Sequence, residues 1–446
     1  MLYLKKNDNF KTLINITFYR MKRLCTTAIA VAISALCFGQ MSITIEECYS
    51  KARENYPLII KLGLVEKTKD YNIDNLNKGY LPQLMFSSKA TYQSDVTKIP
   101  IDLEAMGFKG VEIPHLSQGQ YGISLDLNQT IWDGGTIKSS KEAVKSSSEV
   151  EKSNIEVSLY AVNERINQIY FGILLADARI EQNRLLKKIL TDNYAQVKSY
   201  VENGIANQSD LDAIRVDMIK AEQNEIDFVT ARKTYITILA RLTGMEIDRE
   251  TKLVKPLPER PTQSDAFGRP EMRLFDAQVM KYRSDYNRIN LGLYPRLSVF
   301  ATGGYGKPGL DMFENKFAPY YIAGIKLNWN IGNFYSLKSQ RRLIRNNIDM
   351  VENQRELFLF NTDIDKTQKE LAIDKYIDQI KYDDEIIHLK TSIRKASEAK
   401  IANGTISGTD LMRDINSEHA AIQTKILHEI QLLLAIYDFK YVMNDF

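Results

Sequence analysis

Side chains able to do covalent or metal chemistry are few and poorly spaced for it. His115, His388, His419 and His428 form no His-Glu-x-x-His pair, no paired cysteines stand at metal spacing, and no strained Gly-x-Ser-x-Gly turn presents a nucleophile. Each histidine reads as solvated or lightly packed. Cys48 lies inside a helical pattern and reads as a semi-buried small residue. Gly303-Gly304-Tyr305-Gly306 lacks the Lys-Ser/Thr pair and the helix that a phosphate loop needs, so it reads as a strand end. No catalytic set, cofactor or metal is expected. What does recur is an Asn-Gly pair with Asp-Leu beginning six residues after the glycine. It appears as Asn203-Gly204 with Asp210-Leu211 and again as Asn403-Gly404 with Asp410-Leu411. Asn and Gly tolerate φ > 0 and permit a sharp reversal at a helix end, while an acid just beyond it suits the start of the returning helix.

These turns belong to a duplication. The 200-residue offset that joins them also carries Asp133 onto Asn333, and an offset of 213 carries Pro57 onto Pro270, Gly79 onto Gly292, and Leu81-Pro82-Gln83-Leu84 onto Tyr294-Pro295-Arg296-Leu297. A fixed long period decides the architecture. Each copy reads as helix, strand pair, very long helix, return helix. The first spans 40–243, with strands at 84–96 and 119–132, a long helix at 134–203 and a return helix at 209–242. Residues 244–269, holding Pro256, Pro258 and Pro261, form the crossing linker. The second copy spans 270–446, with strands at 296–306 and 320–332, a long helix at 334–402 and a return helix at 409–442.

Thr44-Ile45-Glu46-Glu47 is a capping box that opens a first helix ending near Tyr56, and Pro57 suits the first turn of the next. In the strands the period is two. Tyr121, Ile123, Leu125 and Leu127 alternate with Gly122, Ser124, Asp126 and Asn128; Tyr321, Ile325 and Leu327 alternate with Gly324, Lys326 and Asn328. Strands of this length, apolar on one face, polar on the other and tipped with aromatics, fit an outer-membrane barrel, with Ser124, Asp126, Asn128, Lys326 and Asn328 facing its lumen. In the long helix Ile155, Leu159, Val162, Ile166, Ile169, Ile173, Ala176 and Ile180 alternate spacings of four and three, a coiled-coil seam. Seventy residues make a rod of roughly 105 Å, and the two shorter helices of a repeat, stacked end to end, nearly match it.

The first 39 residues carry six Lys/Arg against one acid, followed by an apolar run from Leu24 to Phe38. Read from Met21, this is a cleaved secretory signal, since the run is too short to span a bilayer. Without it the formal charge of +3 falls to near −2, which offers no footprint for nucleic acid. Four strands cannot close a barrel, and an edge open to lipid is not tolerated. Two chains would give eight strands and a filled interior; three would give twelve and a wet lumen that suits polar inward residues. A trimer is expected, with outer-membrane lipid around it.

With those residues in view, the chain from Thr44 onward resembles the TolC-type outer-membrane efflux protein family. The likeness rests on the Thr-Ile-Glu-Glu start with Asn55-Tyr56-Pro57, the Tyr-x-x-x-Leu-x-Leu strand ending in Trp132-Asp133-Gly134-Gly135, and the duplicated Asn-Gly/Asp-Leu signature. It implies a homotrimeric duct in the outer membrane of a Gram-negative bacterium, its twelve-stranded barrel continued by an α-helical tunnel into the periplasm. It also implies docking to a periplasmic adaptor (membrane fusion protein) and an inner-membrane pump, for export of small molecules or polypeptides. In such ducts the tip turns, here Asn203, Gly204, Asn403 and Gly404, meet the adaptor. Acidic side chains narrow the pore, and Asp410 falls at the first such position. The second is Arg413, with Asp414 beside it, a departure from a double acidic ring. Asp210 repeats Asp410, so both acids carry two readings, gate and helix start. Competing classes are a non-transporting trimeric scaffold or adhesin, which has no need of polar inward strand faces, and a barrel-borne hydrolase, which would need a convergent catalytic set.

Overall fold

The computed structural model describes residues 42–97, 107, 115–204, 206–248, 251–260, 268–403 and 405–445. The leader and Gly404 therefore lie outside the described residues. In chain order the elements are β1 (Ser42–Ile43), α1 (Ile45–Asn55), α2 (Ile59–Asn77), β2 (Gln83–Tyr92), β3 (Gly119–Trp132), α3 (Thr136–Glu202), α4 (Gln208–Thr243), β4 (Lys252–Leu253), α5 (Pro270–Leu291), β5 (Arg296–Lys307), β6 (Ala318–Asn328), α6 (Asn333–Ala402) and α7 (Gly408–Met443). The chain divides into two compact units, and α3 and α6 supply residues to both.

One unit comprises residues 57–160 and 265–364. Its centre is a four-stranded antiparallel sheet of order β2-β3-β5-β6, so β2 and β6 are its edges. β2 ends at Tyr92 rather than near residue 96, with one further bond from the Gln93 amide to the Gln118 carbonyl. β6 stops at Asn328 rather than 332, because Trp329 turns aside to donate its indole N–H to the Leu293 carbonyl at 2.9 Å. The strand-to-helix corner is held by buried Asp133, whose carboxylate accepts from the amides of Gly135 (2.9 Å) and Ile137 (2.6 Å), an N-cap that satisfies free donors of the helix start. Asn333, which stands at the matching place 200 residues on, donates its side-chain amide to the Gly292 carbonyl at 3.0 Å, a different partner. At the start of α2, Pro57 and Leu58 form a preceding turn, with the Ile60 amide on the Pro57 carbonyl at 3.3 Å, and the helix proper begins at Ile59.

The other unit comprises residues 42–56, 161–264 and 365–445 of the described chain. The seam residues Val162, Ile166, Ile169 and Ile173 are buried in one apolar cluster with Cys48, Leu239, Leu433 and Ile436, each worth about 1.5–3 kcal/mol where a large aliphatic side chain is fully enclosed. The N-cap Thr44 accepts from the Glu47 amide at 3.2 Å, and this fixes the entry of α1. Within residues 244–269, read above as the crossing linker, β4 pairs in parallel with β1. Two-residue strands give no periodicity to read. They are pinned from outside by Tyr170, whose hydroxyl lies 2.9 Å from the Ile43 carbonyl and 2.7 Å from that of Val254. Cys48 is fully rather than partly buried, and burial, then Glu47 and Glu46, push its thiol up to about 12. His428 is packed rather than solvated, the second of the two readings given it; its Nδ1 meets Asp383 Oδ2 at 2.7 Å, because α6 and α7 pack face to face there. Burial likewise holds His419 below the usual imidazole range.

Candidate functional site

The first candidate surface is the pair of helix turns. A second apolar cluster supports it, formed by Leu186, Leu190, Val197, Leu211, Ile214, Ile401, Leu411, Met412 and Ile415 from α3, α4, α6 and α7. Both turn asparagines do the same job: Asn203 donates its side-chain amide to the Ser199 carbonyl at 2.7 Å and Asn403 to that of Ala399 at 2.9 Å, tying off carbonyls that the helix end leaves free. Gly204 has φ +70°, which the reversal requires of a residue without a Cβ penalty.

Beyond the turns the two acids diverge. Asp210 is buried; one carboxylate oxygen accepts from the Asn207 amide at 3.2 Å and the other from the amide of Thr409, on the neighbouring helix, at 3.4 Å. Asp410 is 43 % exposed, capped by Ser407, whose hydroxyl donates to it at 2.8 Å. Those bonds, with the Ser407 amide and the Arg413 guanidinium, hold its carboxyl below the usual carboxylate range. Arg413 stands 3.3 Å from Asp410 and 3.9 Å from Asp414, while Asp414 accepts from the Ser397 hydroxyl at 2.6 Å. Asp410, Arg413 and Asp414 thus form one cluster with a net charge of −1.

Two participants escaped the sequence reading. Gly408 lets the starts of α4 and α7 touch: a Cβ there would stand 2.7 Å from the Asp210 Cβ. Its one signal was asymmetry, since Gln208 occupies the equivalent place in the first repeat. Arg394 of α6 binds both Glu418 of α7 and Glu398, and no spacing rule announces a partner 24 residues away.

The second candidate surface is the sheet. Its register puts Leu84, Leu127 and Ala301 in one cross-strand row, and Phe86, Leu125, Gly303 and Tyr321 in the next. Leu125, Phe86, Tyr321 and Ile325 on this face are exposed. Ser124, Asp126, Asn128, Lys326 and Asn328 share the other face, where Asp126 accepts from Ser124 Oγ (3.1 Å) and Thr302 Oγ1 (2.6 Å). That face is less uniformly polar than alternation suggested, for Met85, Phe300, Tyr320 and Ile322 share it. Among the described residues no helix is long and apolar enough to cross a membrane, and no group of His, Cys, Asp or Glu is arranged to hold a metal ion.

Residues 48–245, nearly the whole first repeat, match the family model described as outer membrane efflux protein. Over that stretch the chain is similar to outer membrane efflux proteins. Solved structures of similar fold include CusC (TM-score 0.66, 13% identity, 90% of this chain and 92% of that one) and the CmeC outer membrane channel of Campylobacter jejuni (0.63, 12%, 90% and 85%). The MtrE outer membrane channel of Neisseria gonorrhoeae, in its open state, is similar as well (0.64, 12%, 90% and 88%). No curated protein matches. At such identities the likeness to solved structures establishes fold alone. The partial family match and the shared fold support an outer-membrane efflux channel.

Proposed function

We propose that this protein is a homotrimeric duct, the outer-membrane exit of a tripartite efflux or type I secretion system that passes small molecules or polypeptides. The observation that carries the reading is the open sheet. It has an exposed apolar face, a face bearing Asp126, Asn128 and Lys326, and two edge strands without partners. Backbone groups at a lipid-exposed edge cost several kcal/mol each, and three chains in a ring remove every edge while leaving a water-filled bore. A stripe of exposed apolar side chains on α6 supports assembly with a neighbour: Leu343, Met350, Leu357, Ile364 and Leu371 recur every seven residues, the repeat of a coiled-coil seam.

In this reading the helices continue the barrel into the periplasm, and the turns at Asn203, Gly204, Asn403 and Gly404 receive an adaptor that couples the duct to an inner-membrane pump. Three copies of Asp410 around an axis concentrate negative charge and favour cations, with Asp414 behind them and Arg413 tempering the field. Asp210 serves the helix start and the α7 contact rather than the pore.

The test is native mass spectrometry of the protein purified from outer membranes, followed by planar-bilayer conductance of wild type and Asp410→Ala. A trimer with low, cation-preferring conductance that rises or loses its preference in the variant supports a duct narrowed at an acidic tip. Conductance indifferent to the substitution keeps the duct and returns Asp410 to capping. A stable monomer, or a trimer that conducts nothing, overturns the reading in favour of a scaffold or adhesin.

A further inference from the structure

We propose that two glycine–aromatic pairs, Gly304 with Tyr320 and Gly324 with Phe300, set the bore of the barrel and so the size of cargo that leaves it. The proposal rests on the reading that the face bearing Asp126 lines the lumen.

In each pair the two residues stand directly opposite one another on β5 and β6, on the Asp126 face. A Cβ on Gly304 would lie 2.3 Å from Tyr320 Cζ and 2.5 Å from its hydroxyl; one on Gly324 would lie 3.0 Å from both Cε1 and Cζ of Phe300. The far end of each ring therefore rests on the opposite strand's backbone, and the ring lies across the sheet. Side chains in strands ordinarily stand roughly perpendicular to it. Tyr321 supplies an internal control. It also faces a glycine across the strand, Gly303, yet nothing approaches within 4 Å of a Cβ built there, and Tyr321 is 82% exposed on the apolar face. A glycine opposite a tyrosine does not by itself lay the ring down. Neighbouring tyrosines in one strand behave oppositely, and the flat one is on the face assigned to the lumen.

The physical consequence is steric. An upright aromatic projects far into the interior of a twelve-stranded barrel, and three copies of each would crowd two successive levels of it, one on either side of Thr302. Laid on glycine, the same rings become part of the wall and present their faces to the lumen. Thr302, opposite Ile322, sits between the two pairs on this face and reports on the space above them.

The experiment introduces Thr302→Cys into the protein purified from outer membranes, where Cys48 is fully buried and shielded from reagents. Labelling rates of the trimer are compared for a small charged methanethiosulfonate and a bulky polyethylene-glycol maleimide. We expect Gly304→Ala, which forces Tyr320 upright, to slow the bulky reagent at least tenfold relative to the small one. Tyr320→Ala, alone or added to Gly304→Ala, should restore or accelerate it, and Gly303→Ala should do nothing. If Gly304→Ala fails to assemble, Tyr320→Ala and Phe300→Ala carry the test, each expected to admit the bulky reagent faster. Rates for both reagents indifferent to all these substitutions overturn the proposal and leave the duct standing. Failure of the small reagent to label position 302 at all shows that this face does not meet water, and sinks the lumen assignment beneath it.

Discussion

Adding one methyl group at Gly408 should loosen the helix turns. The glycine lies at the first position of α7, and a Cβ would meet Asp210 Cβ at 2.7 Å and its carboxyl carbon at 3.1 Å. A β-carbon cannot swing away as the end of a long side chain can, so the starts of α4 and α7 must separate. Overpacking a close contact costs about 1–3 kcal/mol. Against it stands the intrinsic preference of a helix for Ala over Gly, at most about 1 kcal/mol in a helix interior and less at its first residue. The clash wins, with a net loss of about 1–2 kcal/mol, and the 3.4 Å bond from the Thr409 amide to Asp210 lengthens with it. Because the contact is confined to two helix starts, the loss is local. Hydrogen exchange at the amides of Leu411 to Ile415 in Gly408→Ala should speed up about 5–30-fold, the factor corresponding to that free energy. The far core around Ile166 and Leu433 should keep its protection. Exchange unchanged at the turns, in a folded protein, would refute the argument that this approach is tight.

Other substitutions test the packing that supports the site. Tyr170→Phe removes the hydroxyl that serves the Val254 carbonyl and should cost about 1–2 kcal/mol in urea unfolding; an unchanged midpoint would mean that the ring alone holds β1 and β4 together. Arg394→Ala leaves Glu418, 9% exposed, without its cation and should destabilise by about 2–4 kcal/mol, with most of the loss recovered by adding Glu418→Gln; no recovery would mean that Arg394 acts by packing alone. For Cys48 the folded thiol is raised from 9.0 to about 12, so the contribution of its neutral form is complete below about pH 9 and is lost as pH rises toward 12. Unfolding curves should therefore weaken above pH 9, and Cys48→Ala should flatten the first part of that decline; identical pH profiles for the two proteins would contradict the burial argument.

Legibility in the sequence followed the strength of repetition. The seam from Ile155 to Ile180 is buried at every position but its last, Ile180, which is half-buried, because a long helix with a 4-3 pattern has few alternatives. The strands were readable for the same reason: period two over ten residues assigns faces, and Leu125 and Asp126 lie on opposite faces of the sheet. Pairing without periodicity was opaque. β1 and β4 are two residues each and join positions 210 apart, so only the tertiary contact through Tyr170 defines them. Asp210 and Asp410 looked equivalent because the motif around them is duplicated. What separates them is Gly408, which draws α7 onto Asp210 and buries it while Asp410 stays open. The partner of His428 was not legible, because a histidine's surroundings depend on the helix packed against it, and Asp383 is 45 residues away.

The order β2-β3-β5-β6 also bears on ancestry. Its central joint, β3 with β5, brings the last strand of the first repeat beside the first strand of the second. In a closed ring of such chains, β6 of one protomer would meet β2 of the next, again a last strand beside a first, with the roles of the repeats exchanged. The joints are then of one kind, and the ring has six near-equal sectors of which every second seam is covalent. The segment between the repeats tethers sectors that an unduplicated ancestor had to recruit from solution, raising the effective concentration of each joint toward the millimolar range. In such a ring the repeat halves the number of independent pieces to be gathered, and the matching positions Asp210 and Asp410 stand in different surroundings, one buried and one open.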